Sequence, residues 1–278
     1  MSNLTRSIYF TRALNRMFGS IALVALGMAA APNSNAADFT ARDITAKLHA
    51  ATDGIPLDFS GSDLSYLDLA DLNFKSAILK NANLYGVDLT SANLIGANLA
   101  GAKLDRAVLV KTDFSRANLQ GSTILKPSSF SDVTFKHTDA PKFSGANLQG
   151  ARISARLDGA DFRGADLTGA NIGPSDTATE AGAAPSSRMM SSDFSGAVLV
   201  DAHIHDVDLT FARFVGANLK GARLNNLDLS RTDFSGADLT GADLSGSNVE
   251  DANFSGSKGL DSVLGLDSVR NIDKARRQ

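Results

Sequence analysis

A large apolar residue returns at every fifth position from Phe59 to Ile124, through Leu64, Leu69, Phe74, Leu79, Leu84, Leu89, Leu94, Leu99, Leu104, Leu109, Phe114 and Leu119. The same step recurs from Phe143 to Ile153, from Leu157 to Ile172 and from Phe194 to Phe254. Five is neither the 3.6-residue period of a helix nor the two-residue period of a strand, so each unit must turn a corner. Two residues before the large position the chain is usually small, as at Ala82, Ala92, Ala97, Ala212 and Ala217, and one large plus one small inward residue per unit suits a narrow interior. Glycine often follows two places later, as at Gly86, Gly96, Gly216 and Gly236, where a corner benefits from a residue without Cβ. The GxxxxG spacing of these glycines lacks the Gly-Lys-Ser/Thr that would make a phosphate cradle.

The segments NANLYGVDLTSANLIGANLAGAKL (81–104) and SRTDFSGADLTGADLSGSNVEDANF (230–254) resemble the A(D/N)LXX motif of pentapeptide repeat proteins, and the pattern covers about two thirds of the chain. The resemblance implies an all-β solenoid: a right-handed quadrilateral β-helix in which four units make one square coil and stacked neighbours lie 20 residues apart. On that arrangement Phe194, Phe214, Phe234 and Phe254 form one ladder. Leu199, Leu219 and Leu239 form the next column, Ile204, Leu224 and Leu244 the third, and Leu209, Leu229 and Val249 the fourth. Roughly nine coils at about 4.8 Å each give a shaft near 43 Å.

The rest of the chain divides around this pattern. In residues 1–36, Arg6, Arg12 and Arg16 precede an apolar run from Ile21 to Ala31 and a small-x-small site at Ser34-Asn35-Ala36, the order of a secretory signal peptide. Its apolar core is shorter than the roughly 20 residues a membrane span needs, so the mature chain is expected to be soluble. Residues 37–56 are read as an N-terminal helical cap, with Thr40 and Asp43 as a capping box before Ile44, Leu48 and Ala51. Residues 57–172 make the first repeat block, faltering near 125–142, where Phe130 and Phe135 keep one five-residue step, and slipping by one residue at 154–156. Residues 173–193, with two prolines and no period, predict an exposed loop whose end Met189 and Met190 could anchor. The second block spans 194–258. In 259–278 Leu260, Val263, Leu264, Leu266 and Val269 leave the period, predicting a short helical cap and a fraying tail from Lys274.

Charge and chemistry change this picture little. Without the leader's three basic residues, 24 Lys+Arg face 30 Asp+Glu, a net charge of −6, with the signs interleaved rather than blocked. That leaves no footprint for nucleic acid or anionic lipid. The absence of cysteine excludes disulfides and thiolate chemistry. Asp201, His203, His205, Asp206 and Asp208 surround inward Ile204, and His203, His205 and Asp206 form the weak zinc candidate; metal sites need three or four convergent ligands, while Asp before the apolar residue is the repeat consensus. The recurring aspartates Asp88, Asp161, Asp166, Asp208, Asp228, Asp238 and Asp243 lack the unlike environments that separate an acid from a base. Tyr85, Ile95, Val108, Val110, Val198 and Val200 are apolar at nominally outward positions, either a partner surface or the seat of the irregular loops.

These readings imply a non-enzymatic, exported structural or interaction protein, periplasmic or secreted, without cofactor, that presents the outer faces of a rod to an unknown envelope protein. The resemblance also implies a rival, since some members imitate duplex DNA and bind DNA gyrase; an export leader and interleaved Lys and Arg disfavour it. A carbohydrate-active enzyme is a third reading by analogy with other β-helices, although the chain has no Trp and only three Tyr.

Overall fold

Each five-residue unit builds one side of a square coil through three local devices. The residue after the small alanine bridges to neighbouring coils: Leu94 N–H donates to the Asp113 carbonyl at 2.8 Å, and Asp113 N–H donates to that of Ala92 at 3.0 Å. The Ala97 N–H then closes a turn on the Leu94 carbonyl at 3.0 Å, with Gly96 at φ +67°, the third position at which a type II turn demands a left-handed residue. Finally the Asp or Asn before the inward residue accepts the N–H two residues on, as Asn93 Oδ1 does from Ile95 at 3.0 Å. Asp and Asn make this local bond more strongly than Ser or Thr, which accounts for the Asp/Asn preference. At Asp208, Asp228 and Asp238 the hydroxyls of Thr210, Ser230 and Thr240 donate to the same carboxylate.

The computed structural model describes residues 37–52, 54–130, 137–174 and 187–277, all within one compact unit, Ala36–Gln278. The expected leader and Phe135 lie outside the described residues. Parallel bridges 20 residues apart stack the sides into four faces. Face 1 carries Phe59, Leu79 and Leu99 inward; face 2 carries Leu64, Leu84, Leu104 and Ile124; face 3 carries Leu69, Leu89 and Leu109; face 4 carries Phe74, Leu94 and Phe114. Bridging lengthens into strands near the insertions. On face 2, β1 (Thr123–Leu125), β2 (Arg152–Ser154), β3 (Asn171–Ile172) and β5 (His203–Ile204) pair in the order β1-β2-β3-β5. On face 3, β4 (Ser187–Arg188) pairs with β6 (Val207–Asp208).

The breaks in period are looped out, and the stack runs through them. Asp113 bridges Lys142, Lys142 bridges Asp161, and Asp161 bridges Asp193, spacings of 29, 19 and 32 residues on one column. The two repeat blocks therefore share one core. The phenylalanine ladder extends beyond the four rings of the second block, from Phe114 through Phe143 and Phe162 to Phe194 and on to Phe254, with centroids 4.7–5.2 Å apart. At Thr112, Ser192, Thr232 and Ser247, which replace the small alanine, the buried hydroxyl donates to a carbonyl of the preceding coil, that of Leu89, Leu157, Leu209 and Leu224 respectively, whereas the buried Ser122 hydroxyl has no such partner.

Four boundaries differ from the sequence reading. After Ile124 the next inward slot belongs to Ser129, buried with its hydroxyl on the Arg156 carbonyl, and Phe130 stands outside it with the Arg156 guanidinium over its ring. Coil geometry resumes at Ser187 rather than after 193, because Met189 fills a fully buried slot that an unbranched thioether fits as leucine would. At the C-terminus the step lengthens instead of vanishing: GLDSVL, GLDSVR and NIDKAR are hexapeptide sides, with Leu264, Arg270 and Arg276 bridging Asp243, Asn248 and Asn253. The tail is held at Lys274, whose ammonium sits 2.7 Å from Glu250 Oε1.

The two ends close differently. At the N-terminus α1 (Ala41–Ala50) starts at a capping box: Thr40 Oγ1 accepts the Asp43 N–H and Asp43 Oδ2 accepts that of Thr40. It buries Ile44 and Leu48 against the core, and Phe39 meets Phe59 edge-on at 5.7 Å. At the other end the inward slots hold left-handed Gly259, Gly265 and Asn271, which lets Leu260, Leu266 and Ile272 pack across the end of the core. The Ser262 and Ser268 hydroxyls accept the N–H groups of Gly241 and Gly246, which on inner coils donate to the next coil's carbonyl. This blunts a sheet edge that would otherwise template association.

The carboxylate bonds make stability depend on acid. Hydrogen bonds from Ser60, Ser65 and Thr240 hold Asp58, Asp63 and Asp238 below the ordinary value of 3.8, and Arg163 does the same to Asp161. A depressed folded-state value adds stability that is complete above the unfolded value and is lost as pH falls through and below it. The urea midpoint is expected to be level between about pH 6 and 8 and to fall below about pH 4. An unchanged midpoint near pH 3 would remove these carboxylates as contributors.

Candidate functional site

The histidine cluster forms on face 2. The rings of His203 and His205 lie 4.7 Å apart. His205 Nε2 is 3.1 Å from Asn171 Oδ1 and its Nδ1 is 3.2 Å from Asp206 Oδ2. Both ring nitrogens are thus engaged by polar neighbours, and no group of three or more His, Cys, Asp or Glu converges on a metal position among the described residues. His205 is seated where the chain passes Gly173: a Cβ there would fall 2.6 Å from His205 Nε2.

The apolar outward positions divide among all four faces. Tyr85 lies on face 2, Ile95 on face 4, Val108 and Val110 on face 3, and Val198 and Val200 on face 1. They make no common patch. Val110 is buried, and beside it the Lys111 N–H donates to the Asp139 carbonyl while the Lys111 ammonium is 3.6 Å from the buried Asp139 carboxylate. The 137–141 segment therefore folds against this part of face 3.

Ion pairing separates the faces more sharply than apolar surface does. Face 4 matches Arg163 to Asp161 at 2.6 Å, Arg213 to Asp193 at 3.4 Å and Lys142 to Asp113 at 3.7 Å. Face 3 matches Arg188 to Asp158, whose side chain is only 2% exposed and also accepts the Met190 N–H at 3.0 Å. Face 1 matches Lys220 to Asp238 at 3.2 Å. On face 2, Lys103, Arg106, Arg152 and Arg223 are exposed and make no ion pair among the described residues.

At the N-terminal end of the same face stand Tyr66 and Tyr85, the two tyrosines outside the expected leader. Their rings meet edge-on, 5.3 Å apart. Tyr66 is 73% exposed and left-handed at φ +58°, a corner where the next coil has Gly86. A non-glycine residue held there costs about 1 kcal/mol. Its ring lies over Gly86, where a Cβ would come within 2.8 Å of Tyr66 Cδ1. Sequence reasoning missed this juxtaposition because Lys103, Arg152 and Arg223 fall on one column only after the 29-, 19- and 32-residue spacings are known.

Comparison with known proteins bears on the repeat pattern. The family model described as pentapeptide repeats matches in eight copies, over residues 58–90, 92–124, 128–173, 187–226 and 217–256. Among solved structures, HetL, a pentapeptide repeat protein involved in heterocyst differentiation regulation from the cyanobacterium Nostoc, is 23% identical. The match covers 86% of this chain and 94% of HetL, with a TM-score of 0.45. QnrB1, a plasmid-mediated fluoroquinolone resistance protein, is 17% identical over 75% of this chain and 87% of its own, with a TM-score of 0.43. A pentapeptide repeat protein of the Arabidopsis thaliana thylakoid lumen is 30% identical over 44% of this chain and 73% of its own, with a TM-score of 0.25. No curated protein matches.

Proposed function

The chain belongs to the pentapeptide repeat family, and from that premise we propose that it is a non-enzymatic, exported scaffold, periplasmic or secreted, whose outer faces bind a partner protein. The observation that carries this reading is the uninterrupted stack: inward residues fill the core from Phe59 to Phe254, and outward residues repeat in register on four flat faces. Such a surface offers extended contact rather than an enclosed reaction site. Export is supported by the leader's order of arginines, apolar run and small residues. No helix among the described residues is long and apolar enough to cross a membrane.

Duplex-DNA mimicry fits the surface poorly. A phosphate-like array needs unneutralised acids, whereas the aspartates of face 4 are interleaved with Lys142, Arg163 and Arg213 at ion-pair distance. The decisive experiment is fractionation with intact-mass analysis, followed by crosslinking in envelope extracts. A chain starting at Ala37, outside the cytoplasm, that captures a reproducible protein partner is the expected result. A chain that retains Met1, stays cytoplasmic and alters gyrase supercoiling would overturn it.

A further inference from the structure

We propose that face 2 is a binding track for an extended, carboxylate-bearing polysaccharide lying along the rod. The inference rests on the exported scaffold reading above and adds a ligand class and a face to it. Down one column the outward residues run Asn83, Lys103, Thr123, Arg152, Asn171, His203 and Arg223, each bridged to the next. Neighbouring rows are about 4.8 Å apart, so Lys103 and Arg152 are separated by about 10 Å and Arg152 and Arg223 by about 14 Å. Arg106 widens the cationic strip at the adjoining corner.

Two features match an acidic glycan and not a polyphosphate. Down the column Thr123 separates Lys103 from Arg152, with Lys126 at the corner of the Thr123 row, and Asn171 and His203 separate Arg152 from Arg223, which suits a polymer with charge at intervals and hydroxyls between; nucleic acid would place a phosphate against nearly every row. The acids on this face are also compatible with a sparsely charged chain. Asp105 accepts the Leu125 N–H at 3.1 Å, Asp206 is held beside His205, and Asp63 and Asp243 lie towards the ends. The Tyr66 ring, backed by Gly86 and met edge-on by Tyr85, offers one exposed aromatic face on which the C–H side of a sugar ring can stack. Unpaired guanidinium groups at Arg152 and Arg223 present the planar fork that receives a carboxylate.

Affinity electrophoresis and calorimetry of the full chain with polygalacturonate test the assignment, with dextran and oligothymidylate alongside. Binding to polygalacturonate that weakens with salt is expected, together with little binding to dextran. Arg152→Glu/Arg223→Glu should lower the affinity by about tenfold or more. Tyr66→Gly should lower it by about threefold while leaving the thermal midpoint unchanged or higher, because glycine relieves the corner. Equal affinity in both variants, equal binding to dextran, or tighter binding to oligothymidylate would overturn the proposal. If polygalacturonate fails to bind while envelope crosslinking captures a protein partner, this inference falls and the scaffold reading stands.

Discussion

Phe194→Ala is expected to lower the stability of the rod by about 3–5 kcal/mol, the cost of removing a fully buried ring whose neighbours relax only partly. Phe194 is completely inaccessible and stacks between Phe162 at 4.7 Å and Phe214 at 4.8 Å. It also occupies the seam where sequence neighbours 32 residues apart become spatial neighbours. In a solenoid each coil is stabilised chiefly by the coils on either side, so a gap at one coil weakens the coupling of everything before it to everything after it. Loss of the ring should therefore lower the urea midpoint and also broaden or split the transition, as the two parts cease to unfold together. Far-UV circular dichroism reads both effects. A single sharp transition displaced by less than about 1 kcal/mol would show that the ladder is not what joins the repeat blocks.

That seam marks where sequence reading stops. The five-residue period was legible because the interior is narrow and nearly every inward slot holds Leu, Ile or Phe. It became illegible where a slot was filled by something else: Ser129, whose hydroxyl finds a carbonyl; Met189, an apolar residue without a periodic neighbour before it; and Gly259, Gly265 and Asn271, which end the core by omitting its side chains. Phe130 misled for the same reason, being aromatic and adjacent to the true slot. The His203–His205 pair was legible from spacing, but Asn171, 34 residues before His205, was not, and it takes up Nε2. The cations of face 2 were individually visible, yet their alignment depends on insertions that carry no period of their own.

The terminal coil gives the second large effect. Gly265 and Gly150 are both left-handed, at φ +72° and +63°, and differ only in what surrounds them. A Cβ on Gly150 meets nothing within 4 Å, so Gly150→Ala should cost only the backbone penalty, about 1 kcal/mol. A Cβ on Gly265 would fall 1.9 Å from Ser245 Oγ and 2.7 Å from Ser245 Cα. The backbone atom cannot step aside, so overpacking adds about 1–3 kcal/mol and Gly265→Ala should cost about 2–4 kcal/mol in all. The consequence is more than a lower midpoint. Displacing this turn moves Ser268, whose hydroxyl accepts the Gly246 N–H at 3.1 Å, and so bares the edge of the last full coil. An unpaired parallel edge above an apolar core is a template for another chain. Gly265→Ala should therefore shift size-exclusion profiles towards larger species in a concentration-dependent way, while Gly150→Ala remains like the parent. Equal stability and equal elution for the two variants would mean that the glycine, and the hexapeptide step it permits, is not what terminates the rod.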